Sequence, residues 1–211
     1  MADDRLRPDL SRTWALVPLR GLETAKTRLG GELDAEERLD LVIAMARRTL
    51  AATRDARRLA GTVLVTADPA AAELAAAYGA ESLVQRIAGL NAAIREARAR
   101  ALDRGATAVV VLPIDLAAVS ATAIDEVVRA ATDHEAVENG LVVVVPDRHG
   151  SGTNVLLTAP PEVIDPAFGL DSRAAHAALA AAAGAAYVEL GGPLTFDVDT
   201  AEDLLATESP G

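Results

Sequence analysis

The stretch Thr107-Ala-Val-Val-Val-Leu-Pro-Ile-Asp115 sets the reading of the whole chain. Its aliphatic positions run on without polar alternation, as expected of a strand covered on both faces. Pro113 interrupts the run, and Asp115 stands where the strand should stop and the next side chain face a crevice. Short apolar or β-branched runs recur on either side of it: Thr13 to Val17, Thr62 to Thr66, Glu81 to Val84, Leu141 to Val145, Asn154 to Thr158 and Ala186 to Leu190.

Helical patterns fill the gaps. Asp34-Ala-Glu-Glu37 combines an N-cap with acid in the first turn, and Leu39, Val42, Met45, Ala46 and Thr49 keep helical spacing. Arg47 and Arg48 follow toward the C-terminal end, where the helix dipole favours cations. Residues 90–103, 120–132, 171–183 and 200–206 read the same way, with Ser120 and Asp171 as N-caps. Alternating strands and helices predict a three-layer α/β fold around a mainly parallel sheet, with ligands gathering outside the carboxyl ends of the strands. Leu141 to Thr158 reads as a β-hairpin, because Asp147-Arg-His-Gly-Ser-Gly152 separates two apolar runs.

A length of 211 residues suits one core, so residues 1–211 are expected to form a single domain with 1–12 as a flexible N-terminal extension. Twenty basic residues against thirty-one acidic ones leave a net charge of −11, which excludes general affinity for nucleic acid or an anionic membrane. Aromatic residues make up 2%, too few for a row of rings that stack on bases. With no cysteine there is no disulfide framework, thiolate metal site or Cys nucleophile. The N-terminus carries acid where a secretory signal needs basic residues, and no apolar stretch follows, so the cytoplasm is the expected compartment. Pro113 and Asp115 break the longest apolar stretch, and no segment reads as membrane-spanning.

Candidate chemistry collects in the loops after the strands. Arg20, Lys26 and Arg28 follow the first strand and could cradle a polyphosphate. Lys26 is the one lysine among twenty basic residues, which suggests a compact ammonium on phosphate in place of a planar guanidinium. The plainer alternative is a solvated surface residue. Asp197 and Asp199, at i and i+2 of an extended segment, share a face and together with Asp115 could hold a hard divalent cation. Asp199 has a competing use as a helix N-cap.

His149-Gly-Ser-Gly-Thr-Asn154 is a Gly-rich turn able to offer amides and hydroxyls to an anion. Phe168-Gly-Leu-Asp-Ser172 opens a helix whose free N–H groups, with the Ser172 hydroxyl, make a second anion site. Gly89-Leu-Asn91 opens another helix, with Asn91 either a ligand contact or a simple polar residue of the first turn. The three histidines form no triad: His134 reads as solvated, and His149 and His176 are unsupported as bases.

Taken in order, Val17-Pro-Leu with Ala25-Lys-Thr-Arg-Leu29, Gly89-Leu-Asn-Ala-Ala93, Leu112-Pro-Ile-Asp-Leu116, Pro146-Asp-Arg with Gly152-Thr-Asn154, Phe168-Gly with Ser172 and His176, and Asp197-Val-Asp-Thr200 give the chain a resemblance over residues 14–205. It resembles the guanylyltransferase family of coenzyme F-420 biosynthesis. The resemblance implies a Rossmann-like nucleotidyltransferase fold with a mainly parallel mixed sheet, and transfer of the GMP moiety of GTP to phosphoenolpyruvate or 2-phospho-L-lactate with release of pyrophosphate. It further implies that Thr153, Gly169 and Ser172 bind the phosphorylated acid, that Asp115, Asp197 and Asp199 serve Mg²⁺, and that Lys26 and Arg28 face the GTP phosphates. Arg20, Gly89 and Asn91 are expected on the nucleotide side, and Lys26 and Asp115 are expected to carry the catalysis.

The chain departs from the family's usual pattern at Arg20-Gly21, where Lys-Pro is common, and at Ala117 and Ala201, where proline is usual. Heavy use of Arg and Ala tilts the expected acid toward phosphoenolpyruvate. A downstream transferase that accepts the activated product is an implied partner, and a homodimer is compatible with the resemblance. The alternatives are 2-phospho-L-lactate or 3-phosphoglycerate as acceptor, a nucleotidyltransferase of the molybdenum-cofactor or sugar-phosphate type, and a catalytically silent nucleotide-binding module.

Overall fold

Parallel strands need crossover connections, and the helical segments of this chain supply them. The computed structural model describes residues 7–19, 34–134 and 139–198. In chain order these form β1 (Thr13–Leu19), α1 (Ala35–Asp55), β2 (Leu59–Thr66), α2 (Pro69–Ala76), β3 (Glu81–Val84), α3 (Leu90–Asp103) and β4 (Ala108–Val111). There follow α4 (Ala121–Thr132), β5 (Leu141–Pro146), β6 (Thr153–Ala159), α5 (Ser172–Ala183), β7 (Ala186–Glu189) and a single 3-10 turn, Pro193–Thr195. The strands make one sheet in the order β3-β2-β1-β4-β6-β5-β7, parallel throughout except for β6, which runs antiparallel to both neighbours.

Local chemistry accounts for most of the boundaries. Asp34 caps α1 by accepting from the amides of Glu36 and Glu37, each at 2.9 Å, and the Glu37 carboxylate closes a capping box by accepting from the Asp34 amide at 2.8 Å. Ser120 caps α4 through the Ala123 amide at 3.2 Å. Residues 141–159 form the expected hairpin. The sequence pattern did not anticipate α2, which Asp68 caps through Ala70 with Pro69 in its first turn.

Of residues 1–12, expected to form a flexible extension, 1–6 lie outside the described residues, and Leu10 is buried in the core. The Arg12 guanidinium donates to the Gly105 and Arg104 carbonyls at 2.9 and 2.6 Å.

Residue alternation along the strands divides the core between the two faces of the sheet. Ala15 and Val17 belong to the side covered by α1 and α4, through Val42, Leu50, Ile124 and Val127. Trp14 and Leu16 face α3 and α5, through Ile94, Ala97 and Ala180. Strand order reverses between β1 and β4, since β2 and β3 extend one way from β1 and the rest of the sheet the other. In a sheet of this kind the crevice at that reversal, outside the carboxyl ends, is where ligands bind. Leu19 and the Leu112–Asp115 segment border it.

Gly61 sits opposite Trp14 in the β1/β2 register, and a methyl group there would come within 2.6 Å of the indole ring. Gly61→Ala should therefore destabilise the fold by about 1–3 kcal/mol. The fluorescence of the single tryptophan during guanidinium unfolding measures this, and an unchanged midpoint would mean that the indole does not lie against Gly61.

Candidate active site

Leu112 leaves the β4 ladder with its amide still donating to the Leu16 carbonyl at 2.9 Å, and the chain then turns at Ile114 and Asp115. Two contacts from α1 hold this turn. The Arg48 guanidinium donates to the Leu116 carbonyl at 3.0 Å, and the Thr49 hydroxyl lies 3.5 Å from the Ile114 carbonyl. Burial lowers the Arg48 pKa, and its Nε is a buried donor without a partner. A guanidinium stays charged under such pressure, so α1 brings a fixed positive group beneath the turn.

The segment after the 3-10 turn docks against the same place. The Val198 amide donates to the Asp115 carbonyl at 2.8 Å and the Ala117 amide to the Phe196 carbonyl at 2.9 Å. These two bonds define an antiparallel bridge with Leu116 opposite Asp197. Asp115 and Asp197 are thus one register step apart across a bridge, although eighty-two positions separate them in the sequence. Both are half-buried. Asn154 of β6 sets the approach by donating from its side chain to the Leu194 carbonyl at 3.0 Å.

A second group of residues lies at the same rim. Val111 pairs with Leu156 in the antiparallel β4/β6 ladder, so β4 leads out toward Asp115 at the end where β6 begins with Thr153. The hairpin loop before Thr153 is tied to the start of α5: the Arg173 amide donates to Ser151 at 3.1 Å and its guanidinium to Gly150 at 2.9 Å. Glu189 anchors that guanidinium through two bonds of 2.8 Å, and the pairing lowers the Glu189 pKa. Thr153 and Ser172 are brought together by this clamp, and both are buried.

Asp171 occupies the expected N-cap position of α5, yet its backbone is left-handed, with φ of 53°, and its side chain makes no capping bond. Gly169, at φ of 135°, takes a conformation that other residues rarely adopt, and its carbonyl accepts from the Ser172 amide at 3.3 Å.

Asn91 has a structural use. Its amide donates to the Phe168 carbonyl at 2.9 Å and its oxygen accepts from the Phe168 amide at 2.8 Å, so α3 fixes the loop that leads to Gly169. Gly89, the N-cap of α3, is exposed beside it.

His176 is the residue at this rim whose setting the sequence pattern does not reveal. Fully buried, it lies 3.0 Å from the Thr153 hydroxyl through Nδ1 and accepts from the Ala167 amide at 3.0 Å through Nε2. Burial pushes its pKa down to about 4, which leaves the ring neutral at physiological pH. Its place one helical turn after Ser172 was the available signal.

The structure therefore brings Thr153, Gly169, Ser172, Asp115 and Asp197 toward one rim, with Asn91 linked to it through Phe168 and Gly89 two residues before Asn91. Arg20, Lys26, Arg28 and Asp199 lie outside the described residues. Among the described residues no three His, Asp or Glu side chains form a metal cluster by themselves. Asp115 and Asp197 belong to the ligand type that Mg²⁺ takes, an ion that accepts one or two carboxylates and completes its shell with phosphate oxygens and water. Nor is any helix of the described residues long and apolar enough to cross a membrane.

This architecture is shared by enzymes of known structure. A nucleotidyl transferase from Methanothermobacter superposes with a TM-score of 0.64 at 14% identity, covering 92% of this chain and 95% of that one. The 4-diphosphocytidyl-2C-methyl-D-erythritol synthase of Anaerococcus prevotii gives 0.62 at 10% identity, over 95% and 96%. At such identities the likeness establishes the α/β nucleotidyltransferase fold.

Sequence comparison is more specific. The phosphoenolpyruvate guanylyltransferase of Sphaerobacter thermophilus is 40% identical over 201 residues, 94% of each chain. That of Rubrobacter xylanophilus is 39% identical over 199 residues, again 94% of each. The family model for CofC-like guanylyl transferases matches residues 13–207, from the first strand past the Asp197 segment. The rim and the bridge thus fall within a match that spans nearly the whole sequence, and the chain belongs to the CofC-like guanylyl transferase family.

Proposed function

We propose that this chain joins GTP to phosphoenolpyruvate and releases pyrophosphate. The observation that supports the reading is the bridge between Leu116 and Asp197, which brings the backbone at Asp115 and Asp197 to adjacent positions at the end of the sheet where β6 begins with Thr153. A purely nucleotide-binding module has no use for a second anion site beside a pair of half-buried acids. The names of the relatives support phosphoenolpyruvate as the acid.

The chemistry needs little from the protein beyond placement and charge. A phosphate monoester is already a nucleophile at neutral pH, so no general base is required. His176 could not serve as one, because both ring nitrogens are engaged. A phosphate oxygen of the acid attacks the α-phosphorus of GTP in line, the bond to the β-phosphate oxygen breaks, and pyrophosphate leaves with the electron pair. Thr153, Gly169 and Ser172 hold the attacking acid, while Lys26 and Arg28 meet the nucleotide phosphates and stabilise charge moving onto the leaving group.

Asp115 and Asp197 are the described residues that would hold Mg²⁺, with Asp199 as a further ligand; the ion, when bound, neutralises the two anions where they meet. Its value follows from the repulsion: two unit charges about 4 Å apart repel by about 1 kcal/mol in water and about 4 kcal/mol at an effective dielectric of 20.

Asp115→Asn tests the reading. The bridge uses the Asp115 carbonyl, which the substitution keeps, so the melting temperature should stay within about 2 °C while pyrophosphate release at saturating substrates falls about 100-fold or more. Turnover within about threefold of wild type would remove Asp115 from the mechanism.

A second measurement compares substrates. Pyrophosphate release should have its highest kcat/KM with GTP and phosphoenolpyruvate among GTP or CTP paired with phosphoenolpyruvate, 2-phospho-L-lactate, 3-phosphoglycerate or a sugar 1-phosphate. It should stop when EDTA removes the divalent cation. Preference for CTP or for a sugar phosphate would overturn the assignment.

A further inference from the structure

His176 has two bonds whose directions can be deduced. The Ala167 amide can only donate, so the Nε2 it contacts at 3.0 Å must carry a lone pair. A neutral imidazole has one ring proton, which is then on Nδ1, 3.0 Å from the Thr153 hydroxyl oxygen. Double protonation would turn an Nε2–H against the Ala167 N–H in a site with no exposure to water, and the depressed pKa of the ring agrees with its staying neutral. Thr153 therefore accepts from His176, and its own proton must point elsewhere.

The ring cannot rotate to offer the other tautomer. Phe168 packs edge-on against it, with ring centres 5.1 Å apart, and Phe168 is itself held by the two bonds from Asn91. The partners of the ring are a hydroxyl and an amide, with no charged group bonded to it among the described residues.

We infer that His176 is a positioning residue that locks the Thr153 hydroxyl as a hydrogen-bond donor toward the phosphorylated acid. The inference rests on the reading that Thr153 binds that acid. Phosphate and carboxylate oxygens accept and never donate, so a hydroxyl whose proton is already aimed outward suits them. A threonine free to rotate would lose that orientation and with it part of the affinity for the acid. The nucleotide side of the site would be unaffected.

Two substitutions separate this role from that of holding the 167–169 loop. His176→Asn places an amide donor near the position of Nδ1 and gives up the bond to Ala167. His176→Gln keeps an acceptor near the position of Nε2 and gives up the donor to Thr153. With wild-type protein releasing pyrophosphate from GTP and phosphoenolpyruvate, His176→Gln should raise KM for phosphoenolpyruvate about 10-fold, with KM for GTP and kcat within about twofold. His176→Asn should bring the phosphoenolpyruvate KM back to within about threefold of wild type. The reverse order, or equal losses in both variants, would overturn the inference.

A direct readout covers variants that fold poorly. In ¹⁵N-histidine-labelled wild-type protein, long-range proton–nitrogen spectra should show His176 protonated on Nδ1 and bare on Nε2 at pH 8 and still so at pH 5, below the ordinary imidazole value of 6.5. The opposite tautomer, or a doubly protonated ring at pH 5, would overturn it. Absence of activity in the wild-type enzyme would instead defeat the substrate reading, and the spectrum would tell the two failures apart.

Discussion

Two backbone hydrogen bonds, Val198 to Asp115 and Ala117 to Phe196, join distant parts of the chain at the candidate site. The bridge they form converts the end of β4 from a loop that stops at Asp115 into a short two-stranded platform with Asp197 on the facing strand. Its supports come from three elements: Arg48 and Thr49 of α1 under the turn, Asn154 of β6 at the approach, and the buried Val198 among Val17, Leu19 and Ile114. The backbone of the platform is therefore packed as part of the core, and the positions of residues 115 and 197 along it are fixed before any ligand arrives.

This prior fixing matters because the protein is a poor electrostatic host for its proposed substrates. A chain with a net charge of −11 repels GTP and a phosphorylated acid at long range, so attraction has to be local. The local sources differ in kind. Arg48 is a charged group held partly out of water, and the start of α5 leaves its side-chain cap unmade. The Arg173–Glu189 pair, by contrast, is internally neutralised and serves to clamp the hairpin loop.

Much of the architecture was legible because it follows from short-range rules. Unbroken aliphatic runs marked strands buried on both faces, and the Asp34 capping box and the Ser120 cap appear where the pattern placed them. The candidate residues at 115, 153, 169, 172 and 197 could be named because the family resemblance singles them out, and Asp115 and Ser172 also because one follows a strand and the other opens a helix. What was not legible depends on partners far along the chain. Asn91 looks like an ordinary first-turn residue until Phe168, seventy-seven positions on, is seen to take both ends of its amide. His176 looks like a lone histidine in an alanine-rich helix until Thr153 and Ala167 fold against its two nitrogens. The helix α2 escaped notice because its alanine-rich run gives a weak apolar stripe after an Asp-Pro pair that reads equally well as a turn.

The central claim is that Asp115 and Asp197 act on one shared ion. A double-mutant cycle with Asp115→Asn and Asp197→Asn, following the Mg²⁺ concentration needed for half-maximal pyrophosphate release, tests it most directly. Two ligands of a single ion should be strongly non-additive, with the double variant needing no more than about threefold the Mg²⁺ of the weaker single variant. Losses that multiply in full, or an unchanged Mg²⁺ requirement in either single variant, would contradict the account.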